Sequence, residues 1–337
     1  MRDSLDSPSQ EQCISHCETG RFLSCEAEAG RAYPVAALDF RASRFQTLVG
    51  VAAWILIVSS AVGGLDRPPA NQRVYVTALD AQGAPVTDLQ AADFSVQIDG
   101  VSQEVLSATH ATTPASIVLL TDQLGLNPTY TPVEIRAAMS AFVRTIRGGG
   151  PAPVFSLLTF DGPIRVVTRF TSTPLVLDRA IDRLVGAAPD SVLLDAVVEA
   201  ARVMHGAPTD RRIIFTILSA YRPDQSTERS DVAGERLRES GASLWAIEAV
   251  QDVIQGGNYA SPPREVMLES GTRQSGGGRA IVTSRQALLP AVQGIAQYIL
   301  GQYEVTYGPG GGNARSRLQV GVKRPAGRVL APAWLSK

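Results

Sequence analysis

Short, unbroken apolar runs alternate with longer segments of helical period along most of this chain. Ser116-Ile117-Val118-Leu119-Leu120-Thr121-Asp122 sets four apolar residues in a row against an abrupt polar turn. A run that short and that apolar suits a strand buried on both faces, as in a parallel sheet. Similar runs occupy 154–160, 213–219, 243–248 and 279–283. Between them, apolar residues recur at helical spacing: Ile135, Ala138, Met139, Phe142, Val143 and Ile146, then Val176, Leu177, Ala180, Ile181 and Leu184, then Leu193, Leu194, Val197, Val198, Ala201 and Met204. The first of these helices opens with Thr131 as cap, Pro132 at the first helical position and Glu134 three residues after the cap. It ends at Gly148-Gly149-Gly150. Further helices fit 229–240, 263–274 and 285–300. Ile164 to Phe170 follows an Asp161-Gly162-Pro163 turn and reads as an antiparallel edge strand. The alternation predicts an α/β fold with a doubly wound, mostly parallel, Rossmann-like sheet over 114–300.

Ahead of it the period changes to two. Val74, Val76 and Ala78 alternate with Tyr75 and Thr77. Phe94 to Ile98 leads into Asp99-Gly100, a strong hairpin signal, and Val101 to Leu106 supplies the return strand. Residues 73–110 therefore read as a small β module. Gln302 to Tyr307 and Leu318 to Lys323 read as a C-terminal hairpin, within 301–330, that packs on that module.

The N-terminal part is of another kind. Residues 1–44 are mixed in charge and aperiodic, and they read as a disordered tail or as sequence upstream of the true start. From 45 to 65 no residue is charged. Arg41 and Arg44 precede this stretch, and small residues followed by Asp66-Arg67-Pro68-Pro69 close it. Length and flanks suit a signal peptide or a single membrane-spanning helix, hence export to the cell envelope.

Composition narrows the function. The formal net charge is −1 and 6% of residues are aromatic, with no basic and aromatic stripe, so nucleic-acid binding is not expected. Cys13, Cys17 and Cys25 all lie in the tail, at a spacing that with His16 fits no common zinc pattern. No disulfide can staple anything after them. His110 and His205 are the only histidines beyond the apolar segment, and neither adjoins a nucleophile motif. An envelope hydrolase would need a triad assembled in space, so no enzyme is expected.

The β lead-in carries a more specific signal. Val74 to Val76, then Asp80-Ala81-Gln82-Gly83-Ala84-Pro85-Val86, then Leu89 to Val96 and Asp99-Gly100, resemble the lead-in of exported bacterial proteins with a von Willebrand factor type A domain. Tyr303 to Tyr307 and Val320 to Arg328 resemble that family's closing hairpin, so the resemblance spans about residues 73–330. It implies a metal-ion-dependent adhesion site, where an Asp-x-Ser-x-Ser loop, a Thr and a second Asp surround one Mg²⁺. Asp122 matches the first Asp, but Leu124 and Leu126 stand at the two Ser positions. Ser191 falls at the Thr and Ala220 at the second Asp. Mg²⁺ gives up water reluctantly and prefers an octahedral oxygen shell, so a set this reduced is expected to hold no cofactor. The alternative is a variant Mg²⁺ set in which Asn127 or Asp224 substitutes. Ser191 or Asp190 also reads as the cap of the helix that follows, and Asp195 as a partner of the Asp122 loop or a solvated residue. The expected function is a non-enzymatic scaffold that binds a protein through the loops at 122–130, 188–192 and 219–228. Leu124, Leu126, Asn127, Ala220 and Tyr221 would present its surface, and an uncleaved N-terminal helix would add the membrane as a partner.

Overall fold

The computed structural model describes residues 71–122, 130–185, 191–220, 224–250, 261–308, 312–324 and 327–335. The tail, the apolar segment 45–65, Asp190, Leu124, Leu126, Asn127 and Tyr221 lie outside these residues. No helix among the described residues is long and apolar enough to cross a membrane.

The strands are β1 (Gln72–Leu79), β2 (Phe94–Ile98), β3 (Val101–Gln103), β4 (Val105–His110), β5 (Ala115–Thr121), β6 (Val154–Thr159), β7 (Arg165–Thr171), β8 (Arg211–Ser219), β9 (Ser243–Ala249), β10 (Gly278–Val282), β11 (Tyr303–Tyr307), β12 (Leu318–Val322) and β13 (Arg328–Leu330). The helices are α1 (Pro132–Gly149), α2 (Pro174–Asp182), α3 (Leu193–Met204), α4 (Ser230–Ser240), α5 (Pro262–Val266), α6 (Thr272–Gln274) and α7 (Arg285–Leu300), with a π-turn, Met267–Gly271, joining α5 to α6.

Six strands form the central sheet in the order β10-β9-β8-β5-β6-β7. All neighbours run parallel except β7, which is antiparallel to β6 at the edge. Counted from β5, this is the 3-2-1-4-5-6 order of a doubly wound fold. Every residue of β5 is buried, as its unbroken apolar run predicts. Alternation along that strand divides the core in two. Ile117 and Leu119 face α1 and α7, where Phe142 stacks on Phe215 with ring centroids 3.9 Å apart. Val118 and Leu120 face α3 and α4. The α1 start has the expected reciprocal cap, with Thr131 accepting from the Val133 N–H at 3.3 Å and Glu134 accepting from the Thr131 N–H at 2.8 Å.

The β module contains two antiparallel sheets, β13-β1-β11-β4 and β12-β2-β3. Asp99 and Gly100 both have positive φ, 49° and 82°, which is what a two-residue hairpin turn between β2 and β3 requires. Two expectations change here. The segment 101–106, read as one return strand, breaks at Glu104 into β3 and β4, which belong to different sheets. The C-terminal strands do not pair with each other either. β11 has both edges filled by β1 and β4, so β12 pairs instead with β2. The two sheets enclose a third apolar cluster that includes Val76, Phe94, Val96, Tyr303, Val305 and Leu318.

Candidate functional site

Strand order reverses between β5 and β8, so their C-terminal ends form the switch point at which open α/β sheets hold ligands. Asp122 follows β5 directly and is fully buried. Its Oδ2 accepts the Ser219 N–H at 2.9 Å, which ties the end of β5 to the end of β8. The Ser219 carbonyl accepts in turn from the guanidinium of Arg264, a side chain only 2% exposed. Arg264 comes from α5, a short helix with Pro262 and Pro263 at its first two positions. It also lies 4.0 Å from Glu248, a buried carboxylate on β9.

Glu248 does not rest on Arg264 alone. Arg279, on the neighbouring strand β10, donates from Nε at 3.0 Å and from a terminal nitrogen as well. Arg279 also reaches Glu265 through two hydrogen bonds, at 2.9 and 2.8 Å. Two guanidiniums and two carboxylates thus balance within one network. Burial pulls the Arg279 pKa down, but its hydrogen bonds to Glu265 and Glu248 outweigh that and leave it above its ordinary value. The bond from Arg279 likewise holds Glu265 below the usual carboxylate range. Such pairing makes charge tolerable in a low-dielectric interior.

Ser191 and Asp224 meet as a parallel bridge, and the Gln225 N–H donates to the Ser191 carbonyl at 2.7 Å. The Ser191 hydroxyl and the Asp224 Oδ2 are both buried without a hydrogen-bond partner. Asp224 uses its other oxygen to accept from the Ser226 N–H at 2.8 Å. Ser191 is not the cap of α3. The residue at the cap is Val192, whose side chain has no oxygen, and Ser226 does the work from the next loop. Its hydroxyl accepts from the N–H groups of Leu194 at 2.9 Å and Asp195 at 3.4 Å. Asp195 is half-buried and binds the loop 224–228. It accepts from the Thr227 N–H and hydroxyl at 3.1 and 3.2 Å, and from the Glu228 N–H at 2.8 Å. The start of α3 and the loop 224–228 therefore hold each other from both sides.

The described residues supply only part of the oxygen shell that Mg²⁺ prefers. One Asp122 oxygen is engaged by backbone, and Ala220, placed at the end of β8 by its N–H bond to the Ala249 carbonyl, offers only a methyl group. Among the described residues no three His, Cys, Asp or Glu side chains are grouped to hold a metal ion. The structure brings Asp122 to Ser219 and Ser191 to Asp224.

The histidines have structural surroundings. The His110 Nε2 lies 2.9 Å from the Thr87 carbonyl, and its ring stacks on Tyr303 with centroids 4.8 Å apart. His205 caps the end of α3. Arg264, Glu248 and Arg279 were not anticipated from sequence. The available signal was Glu248, a carboxylate in an otherwise apolar strand run, because a buried charge requires an opposite one.

A scan against models of known families found no match, and neither did a search of curated proteins. Among solved structures, the chain is similar to the SpRpn10 VWA domain, at 12% identity and a TM-score of 0.42, over 53% of this chain and 94% of that one. It is also similar to BatB from Bacteroides thetaiotaomicron, a conserved hypothetical protein, at 13% identity and a TM-score of 0.40, over 55% of this chain and 98% of that one. A third is the vWF domain of the type V pili tip protein Mfa5 from Porphyromonas gingivalis, at 12% identity and a TM-score of 0.42, over 56% of this chain and 96% of that one. Likeness at these scores carries no argument about function. The fold rests on the strand order and the single reversed edge strand, and it is a doubly wound, mostly parallel α/β sheet with a small β module.

Proposed function

We propose that this chain is a non-enzymatic scaffold of the cell envelope that binds a protein partner at the crest of its sheet without a metal ion. The observation that carries the reading is Arg264. A buried guanidinium bonded to the Ser219 carbonyl, one residue from Ala220 and joined through Ser219 to Asp122, supplies internally the positive charge that a dication would bring. Recognition then falls to the loops around the crest, where Leu124, Leu126 and Tyr221 favour apolar contact. Export rests on the uncharged segment 45–65 and its basic lead.

The test joins calorimetry to partner capture. Titration with Mg²⁺ or Mn²⁺ should release no heat and leave the melting temperature unchanged. Cross-linking in envelope fractions should yield the same partner with and without EDTA, and Leu124→Asp should weaken capture while the circular dichroism spectrum is preserved. Capture abolished by EDTA, or unaffected by Leu124→Asp, would overturn the reading. One observation favours a second reading, a variant metal-dependent adhesion site: the buried oxygens of Ser191 and Asp224 have no partner. Saturable Mg²⁺ binding that is lost in Asp224→Asn would establish it.

A further inference from the structure

The central sheet ends in two edge strands, and the chain treats them differently. An edge offers unpaired N–H and C=O groups to any other strand, so natural sheets blunt it with charge, bulges or cover. At one edge, β7 carries Arg165 and Arg169, both exposed, and its pairing with β6 shifts register twice. The other edge, β10, has neither device. Its register with β9 is unbroken from Gly278 to Val282. Its one charge, Arg279, is tied to Glu248 and Glu265, in the network where Arg264 supplies the second cation. Ile281 is 57% exposed.

Hydrogen bonding fixes which peptide groups of β10 are open. The Val250 N–H donates to the Val282 carbonyl at 2.8 Å, so Val282 turns its peptide groups towards β9. Peptide groups alternate sides along a strand, so Gly278 and Ala280 turn the same way while Arg279 and Ile281 turn outward. The outward N–H and C=O groups have no backbone partner among the described residues. Side chains alternate as well. Arg279 and Ile281 lie on the face of Glu248, and Ala280 lies on the face of α7.

α7 leaves room beside this edge. One flank packs on α1, where Leu300 lies against Gly149. The opposite flank holds Ala287, Ala291, Gly294 and Tyr298, all half-buried, and Tyr298 lines a cavity with Ala280. A Cβ placed on Gly294 would meet nothing within 4 Å. After Arg285 the helix has no charged residue as far as Leu300. Depletion of charge marks the core of protein interfaces.

We propose that two copies of this chain join edge to edge through β10, antiparallel, about a two-fold axis at Ala280. The open groups are their own complement under that axis. Arg279 exchanges both N–H···O=C bonds with Ile281 of the second copy, and Ile281 does the same with Arg279 of the second copy, so one contact satisfies both edges. Opposite side chains are then Arg279 and Ile281, whose stems pack together, and no like charges stand directly opposite. Self-pairing of β7 about Val167 would instead set Arg165 against Arg169. On the other face, α7 meets its copy across the seam on Ala287, Ala291 and Gly294, which permit close approach. The two crests point in opposite directions, so on the partner-binding reading one dimer bridges two partners; the pairing itself does not rest on that reading.

The register makes the test specific. Ala280 faces Ala280 of the second copy as a non-hydrogen-bonded pair, with Cα atoms about 4.5 Å apart, which suits a disulfide. The full chain carrying Cys13→Ser, Cys17→Ser and Cys25→Ser receives Ala280→Cys or, as the control on the defended edge, Val167→Cys. Under mild oxidation Ala280→Cys should run mainly as a dimer on a non-reducing gel and return to monomer with dithiothreitol, while Val167→Cys stays monomeric. Sedimentation velocity of the unaltered chain should show a dimer. Ile281→Lys, at an exposed position, should weaken it at least tenfold with the melting temperature of the monomer unchanged. An unaltered chain that stays monomeric to about 100 μM, cross-linking of Ala280→Cys no greater than that of Val167→Cys, or a dimer indifferent to Ile281→Lys would each overturn the proposal.

Discussion

Replacing Arg264 with Met keeps the length and apolar stem of the side chain and removes only its charge and donors. Two losses follow. The Ser219 carbonyl, on a residue 1% exposed, loses the guanidinium that donates to it. Removing a donor from a buried acceptor costs about 1–3 kcal/mol. Glu248, 4% exposed, also loses a cation at 4.0 Å. Stripping one partner from a buried ion pair costs about 3–5 kcal/mol when the other charge is left alone. Here it is not left alone, because Arg279 still donates to Glu248 from Nε at 3.0 Å and from a second nitrogen, so only a fraction of that cost applies. The sum is about 2–4 kcal/mol, or roughly 5–15 °C in melting temperature for a folded unit of this size. Urea denaturation followed by tryptophan fluorescence measures it, with the slope m unchanged. Arg264→Met together with Glu248→Gln should cost less than the two single substitutions added, because each removes the other's reason to be charged. Mg²⁺ should restore nothing. A loss below about 0.5 kcal/mol in Arg264→Met, or strict additivity in the pair, would refute the claim that this guanidinium balances the crest.

Three other outcomes follow from the geometry. Phe215→Ala should destabilise by about 3–5 kcal/mol, since Phe215 is fully buried and stacked on Phe142; a change under about 1 kcal/mol in denaturant midpoint analysis would contradict that packing. Tyr307 is buried and its phenol is pushed up to about 12, so its neutral form is favoured by folding; the stability it contributes is complete below pH 10 and is lost as pH rises towards 12, by about 2–3 kcal/mol in all. Tyr307→Phe should flatten that alkaline decline, and an identical pH dependence in the variant would remove the basis for it. Asp195→Ala should cost about 1–3 kcal/mol by releasing Thr227 and Glu228, and hydrogen exchange should report faster opening of the loop 224–228 than of β8.

Local rules carried the reading wherever the deciding interaction is itself local. The run Ile117 to Leu120 announces a strand buried on both faces because no other element hides four consecutive apolar residues so economically. Thr131, Pro132 and Glu134 announce a helix start because the cap closes within one turn. Asp99-Gly100 announces a hairpin because few residue pairs accept two positive φ values in succession. The same rules failed where a distant segment supplies the partner. Ser191 stands where a cap belongs, yet the hydroxyl that caps α3 comes from Ser226, across the loop that follows β8. β12 alternates as a hairpin partner of β11 would, but whether β11 has a free edge depends on β1 and β4.

The crest shows the same limit in electrostatic form. Counting oxygens along the adhesion-site pattern finds a carboxylate at Asp122, a hydroxyl at Ser191 and a methyl at Ala220, and from that count the crest reads as merely depleted of ligands. A buried carboxylate at such a crest still needs a partner of opposite charge. The chain answers with residues that no motif contains: Arg264 on a helix entered through prolines, and Arg279 on the next strand, converging on Glu248. A dication serves such a crest only while it is bound, whereas a guanidinium built into the helix is present at every metal concentration. Under the proposed metal-free reading, that difference separates a scaffold engaged permanently from an adhesion site that a chelator can switch off.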